Sequence, residues 1–315
     1  MGGRVIAFLF PGQGAQTPGF LHRLGGDTPH PAIARTFDEA SDVLGENVLT
    51  LDTADALAST VAVQVTLVVA GVAAVRALAQ EGIEPEAVAG LSVGAYGAAV
   101  ASGAIAFADA LKLVRLRATF MEEACPRGYG MLAVLGLNES ELALAIADSG
   151  ADAYIGNLNA PRQIVVSGSD AALAQVRDIA LARGARKAER LAVSVPSHCV
   201  LLEGAAARLI DAAREVRLET PRIAYVGNRG ARVLRRADAI REDLATNLRY
   251  PVRWHDSTIA LSELGTSVFV EMPPGRTLTS LLADALPGTP AYAMDASPIG
   301  SIAARVRIAR NRAKD

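Results

Sequence analysis

The chain has 315 residues, 51% hydrophobic and 20% charged, with a net charge of −2. That length can bury one large core or two smaller ones, and neither the charge balance nor any basic run gives nucleic acid an electrostatic footprint. A single Trp and six Tyr leave no stacking platform for bases, and the only cysteines, Cys125 and Cys199, stand in no CxxC or zinc spacing, which fits buried thiols in a reducing cytoplasm.

The N-terminal MGGRVIAFLFPGQG contains a strand-like apolar run, Val5–Phe10, that a Pro-Gly pair ends. The run is too brief for a signal peptide. His22 falls on an early helix, and His30, between Pro29 and Pro31, reads as a solvated loop residue. Val61–Ala79 is the most apolar stretch. Gln64 and Arg76 interrupt it, so it falls short of a membrane span and reads as a buried helix. AVAGL (Ala87–Leu91) is a second strand, running into SVG and a helix of small residues, and Ala108–Ala124 is a further helix.

From about Gly128 the rhythm changes. A strand over Met131–Leu137, a helix over Glu139–Asp148, strands over Ala153–Asn159 and Gln163–Ser169, a helix over Asp170–Arg183 and a strand over Glu189–Val195 follow in turn. Asn138 and Ser169 stand at N-cap positions. That β-α-β-β-α-β order predicts a ferredoxin-like subdomain over 126–195, inserted into a body formed by 1–125 and 196–315. Body strands resume at Ile223–Asn228 and Ser267–Gly275, and the tail after Ala303 is basic and polar, with no assigned role. Near-continuous apolar strands alternating with helices indicate a parallel sheet covered on both faces. Ligands bind such sheets beyond the carboxyl ends of the strands.

One of those ends carries Gly90-Leu91-Ser92-Val93-Gly94, the G-x-S-x-G pattern of a nucleophile elbow. Glycines permit a strand-to-helix turn that side chains would block, and the turn lifts the serine hydroxyl to the next helix's N-terminus, where a backbone N–H can stabilise an oxyanion. The competing reading is a turn serine. A nucleophilic hydroxyl needs a base. Of four histidines, His198 is favoured over His255, because VSVPSHC lies where the subdomain returns the chain to the body, a place where clefts form. In the helix Ala108–Ala124, Arg117 shares the apolar stripe of Ala110, Leu113, Val114, Ala118 and Met121, whereas Arg115 points about 200° away. A buried guanidinium requires an anion. That anion is either an internal carboxylate or a substrate's, and the pattern alone leaves both open.

FPGQGAQ, GLSVG, RLRATFMEEA, NLNAPRQIVVSG, VSVPSHC and NLRYPVRW, in this order over nearly the whole chain, resemble the malonyl-CoA:acyl-carrier-protein transacylases. The resemblance implies an α/β-hydrolase-like body with a ferredoxin-like insertion. It implies Ser92 as nucleophile, His198 as base, Arg117 as partner of the malonyl carboxylate, and Gln13 with the Val93 amide as oxyanion hole. Asn247 would orient His198 through its main-chain carbonyl, and Leu91, Asn157 and Asn159 would line the cleft. Malonyl-CoA and a carrier protein would be the partners, with no bound cofactor, metal, membrane or nucleic acid, in the bacterial cytoplasm. The family usually places His before the nucleophile and an acid after the second glycine, where this chain has Leu91 and Ala95. Those departures and the EMPPGR loop look most like the transacylase (epsilon) subunit of bacterial malonate decarboxylase, which points to that enzyme's carrier as acceptor. The alternatives are the fatty-acid-synthesis transacylase, a serine hydrolase or thioesterase, and a non-catalytic assembly subunit.

Overall fold

In the computed structural model, which describes residues 5–24 and 30–312, the run Val5–Phe10 forms strand β1 at the centre of a six-stranded sheet. Its alternation dictates two cores, since successive side chains leave opposite faces. Ile6, Phe8 and Phe10 pack with α1 (Pro31–Leu44), α2 (Thr60–Gln80), α3 (Gly94–Ala101) and α4 (Phe107–Ala124), while Ala7 and Leu9 face the other layer. β2 (Ala87–Gly90) follows α2 and pairs parallel with β1.

The chain then builds β3 (Tyr129–Leu135), α5 (Glu139–Ser149), β4 (Ala153–Ala160), β5 (Gln163–Ser169), α6 (Asp170–Ala182) and β6 (Lys187–Arg190). The four strands make a separate antiparallel sheet in the order β4-β5-β3-β6, the predicted β-α-β-β-α-β arrangement, with its own core against α5 and α6. Asn138 caps α5 in a reciprocal capping box with Glu141, and Ser169 caps α6, as their positions predict. β4 is tied to the body where Leu158 N–H donates to the Val252 carbonyl (2.8 Å) and Val252 N–H to that of Gly156 (2.8 Å).

The body continues through α7 (Glu203–Arg214), β7 (Ala224–Val226), β8 (Val233–Leu234), α8 (Ala237–Thr246), α9 (Trp254–Glu263), β9 (Thr266–Glu271), α10 (Thr277–Ala285), β10 (Ala291–Ala293) and α11 (Ile299–Arg312). The large sheet runs β10-β9-β1-β2-β7-β8. Only the edge strand β8 is antiparallel. Trp254 and Leu261 of α9 and Leu278, Leu281 and Leu282 of α10 cover the second face. The protein is thus a parallel-sheet α/β body with an inserted small antiparallel sheet, as expected.

Several expectations need correction. α2 is long and apolar enough to cross a membrane, but α1, α3, α4 and α11 cover it and most of its residues are buried. The last subdomain strand stops at Arg190, well short of Val195: after Leu191 N–H donates to the Met131 carbonyl (2.9 Å), the Arg190 guanidinium takes the Tyr129 carbonyl (2.6 Å) in place of a further backbone donor. The tail after Ala303 is no free end: it continues α11, in which Ile302, Ala303 and, within the tail, Val306 are fully buried in the main core. His22 sits in a turn with Nδ1 3.0 Å from buried Asp52, and His30 is no free loop residue but the N-cap of α1, accepting from the Ala32 amide.

Candidate active site

The turn between β2 and α3 is crowded. A Cβ on Gly90 would lie 2.1 Å from the Gly94 backbone, and one on Gly94 would lie 2.2 Å from the Phe10 carbonyl oxygen, so neither position accepts a side chain. Between them Ser92 adopts φ 57°, a left-handed conformation that strains any non-glycine residue. The turn sets Ser92 at the entrance to α3, beyond the carboxyl end of β2.

His198 also holds a positive φ, 66°, and its Nε2 lies 2.8 Å from Ser92 Oγ. Nδ1 lies 2.7 Å from the Asn247 carbonyl oxygen. A carbonyl can only accept, so the proton resides on Nδ1 and the Nε2 lone pair faces the serine hydroxyl. The ring is 2% exposed. Burial, then the Arg117 charge, pulls its pKa down to about 4, against the hydrogen bond to Asn247. His198 is therefore neutral at pH 7 and able to accept a proton. His255, the rejected candidate, lies on α9 and lines a different cavity with Asn138 and Arg253.

Arg117 is fully buried, as its place on the apolar stripe of α4 predicts. It has no carboxylate partner among the described residues, which removes the internal ion-pair alternative. Nη1 donates to Gln64 Oε1 (2.6 Å), and Nη2 to Ser92 Oγ (3.1 Å) and Asn247 Oδ1 (3.3 Å), while Nε is left without a partner. Burial draws its pKa down to about 10, opposed by Tyr96. At neutral pH it remains a buried cation among neutral acceptors, an environment that favours a carboxylate partner.

Ser92 and His198 line a cavity of about 420 Å³ together with Gln13, Gln64, Leu91, Asn157 and Asn159, and Arg117 stands immediately behind Ser92 and Gln64. Its floor is the carboxyl ends of β1 and β2, and its roof is the small sheet, through Met131, Asn157 and Val165. The Oδ1 atoms of Asn157 and Asn159 are buried without a partner among the described residues. The backbone N–H groups of Gln13 and Val93 enter no hydrogen bond among the described residues, so both are free to donate. The loop around Pro273 is fixed by Glu271, whose carboxylate accepts from the Leu278 and Thr279 amides and so caps α10.

Two polar contributors escaped the sequence reading. Gln64 was legible only as an interruption of an apolar helix, though a lone amide in such a run requires a partner. Asn228 Oδ1 accepts from Ser92 N–H (2.8 Å) and its Nδ2 donates to the Gly90 carbonyl (2.9 Å), a contact across more than 130 residues that no local pattern announces.

Residues 7–303 match the family described as acyl transferase domain. The malonyl CoA-acyl carrier protein transacylase of Escherichia coli K12 is 37% identical over 283 residues, covering 88% of this chain and 91% of that protein. The Bacillus subtilis transacylase is 35% identical over 284 residues, with coverages of 88% and 89%. Among solved structures, the transacylase of Coxiella burnetii superposes with a TM-score of 0.90 at 32% identity, covering 98% of both chains. A malonyl-transacylase in complex with a type II polyketide acyl-carrier protein gives 0.89 at 35% identity, covering 95% of this chain and 98% of that one.

Proposed function

This chain belongs to the acyl transferase domain family, and we propose that it carries a malonyl group from malonyl-CoA to the thiol of an acyl carrier protein through an ester on Ser92. One observation carries the reading. A buried guanidinium with no anionic partner among the described residues donates to the oxygen of a serine that is also hydrogen-bonded to a neutral histidine. The named relatives support the same substrates.

The malonyl carboxylate pairs with Arg117, which places the thioester carbonyl over Ser92. His198 Nε2 takes the hydroxyl proton as Oγ bonds to that carbonyl carbon. The resulting oxyanion is met by the Gln13 and Val93 amides. Collapse breaks the C–S bond, and the CoA sulfur leaves with the proton held by His198. The carrier's phosphopantetheine thiol then gives its proton to His198 and attacks the ester carbonyl, the C–O bond breaks, and Ser92 Oγ leaves with the proton His198 returns to it. The Asn247 carbonyl keeps the ring in the required tautomer, so a dyad suffices without a third acid. The scheme requires no metal or bound cofactor. An acyl group lacking a carboxylate leaves Arg117 buried and unpaired, which is the source of selectivity.

The relatives above act with acyl carrier protein, which favours a fatty-acid-type acceptor. Leu91, Ala95 and the EMPPGR loop favour the malonate decarboxylase carrier as a second reading. Competition between the two phosphopantetheinylated carriers for malonyl from one pool of malonyl-CoA decides between them. CoA release that proceeds equally fast without either carrier would make water the acceptor and overturn the transferase reading.

A further inference from the structure

Asn228 is 3% exposed and holds both ends of the Gly90–Ser92 turn, accepting from the Ser92 amide and donating to the Gly90 carbonyl. Only a carboxamide of this length meets both demands, since the turn presents one donor and one acceptor side by side. Asn228 is itself seated. Asp243 Oδ1 accepts from the Asn228 amide (3.0 Å) and the Arg229 amide (3.4 Å), and its Oδ2 accepts from Tyr225 OH (3.2 Å). Asp243 is 7% exposed on α8, one helical turn before Asn247, whose carbonyl holds His198. Tyr96 of α3 donates to the Leu244 carbonyl (2.9 Å) and ties the same helix to the far side of the elbow. The end of α8 therefore reaches the serine through Asn228 and the histidine through Asn247.

We propose that Asn228, seated by Asp243, is a positioning residue: it holds Ser92 in its left-handed conformation, keeps Oγ on His198 and leaves the Val93 N–H free for the oxyanion. The proposal rests on Ser92 being the nucleophile. Losing either hydrogen bond lets the strained turn relax, which lowers the rate of attack without removing any group that touches substrate. Asn228→Asp keeps the shape but sets a carboxylate oxygen against the Gly90 carbonyl, so it is impaired although isosteric. Asp243→Asn keeps an acceptor for the Asn228 amide, so it recovers most of the rate that Asp243→Ala loses.

The test is the rate at which a fluorophosphonate probe labels Ser92, followed by intact mass in the full-length protein, beside single-turnover acylation by malonyl-CoA. The expected result is labelling slowed about tenfold or more in Asn228→Ala and Asn228→Asp, the equivalent of one buried hydrogen bond. The final labelled fraction should stay at the wild-type level and melting should remain well above the assay temperature. Should Asn228→Ala fail to fold, Asn228→Asp and the Asp243 pair carry the same comparison. Wild-type labelling rates in the Asn228 variants would overturn the proposal, as would a loss of labelled fraction that merely follows a loss of folded protein. A wild-type protein that takes the probe but no malonyl group would refute the malonyl reading and leave the comparison among variants decisive. One that takes neither would overturn the proposal, because Ser92 would then not be a nucleophile.

Discussion

Replacing Arg117 with Ala should sharply lower the preference for malonyl over acetyl. The guanidinium has five N–H donors, of which three are spent on the neutral acceptors Gln64, Ser92 and Asn247, and because either fork of the group includes Nη2, a carboxylate that takes two prongs displaces some of these neutral bonds. A hydrogen bond between charged groups contributes about 1.5–3 kcal/mol against about 0.5–1.5 kcal/mol for a neutral one, so exchanging two neutral bonds for a two-pronged grip is worth about 2–3 kcal/mol. The malonyl-to-acetyl ratio of kcat/KM should therefore fall roughly 30- to 150-fold. The ratio is the quantity to measure, because Arg117 also touches Ser92 Oγ and its loss disturbs both substrates alike. The assay is CoA release from malonyl-CoA and acetyl-CoA with a saturating carrier protein. Equal losses for the two substrates, with the ratio preserved, would refute the assignment of Arg117 to the malonyl carboxylate.

The remaining expectations are smaller in scope. Acylation of Ser92 should hold nearly constant from pH 8 to pH 5 and fall only as His198 protonates near 4, and a limb at the ordinary histidine value near 6.5 would contradict the buried, Arg117-facing ring. In Arg117→Ala that limb should move upward, since the cation that helps depress His198 is gone. Gly94→Ala drives a Cβ to 2.2 Å from the Phe10 carbonyl and should destabilise the fold by about 3 kcal/mol or more with loss of acylation, read by denaturant unfolding. Val306→Ala in α11 should cost about 1.5–3 kcal/mol of stability, whereas a dispensable tail would unfold at the wild-type denaturant concentration.

Local pattern made the chemistry legible where the chemistry is local. G-x-S-x-G identifies the elbow because its glycines answer to backbone contacts within a few residues and at the end of β1. Arg117 is legible because helical periodicity places it on a buried stripe, and the structure adds that no internal acid meets it among the described residues. His198 could be preferred from its junction between subdomain and body, but its 2.8 Å contact with Ser92 joins residues 106 apart, which no spacing specifies. Asn228 and Gln64 were invisible as partners for the same reason. The Asn247 side chain, which contacts Arg117 in addition to offering its carbonyl to His198, was only half anticipated. The tail is a different case. Ile299, Ile302, Ala303, Val306 and Ala309 repeat at helical spacing, and the abundance of arginine between them hid an amphipathic stripe that was present throughout.

A malonyl ester on Ser92 is read by intact mass after brief exposure to malonyl-CoA, beside acetyl-CoA and beside Ser92→Ala. Malonyl-CoA should leave a malonyl adduct, acetyl-CoA a far smaller acetyl adduct and the variant no adduct, and a carrier thiol should discharge the malonyl adduct. An unmodified wild-type protein that leaves malonyl-CoA intact would contradict the Ser92 ester.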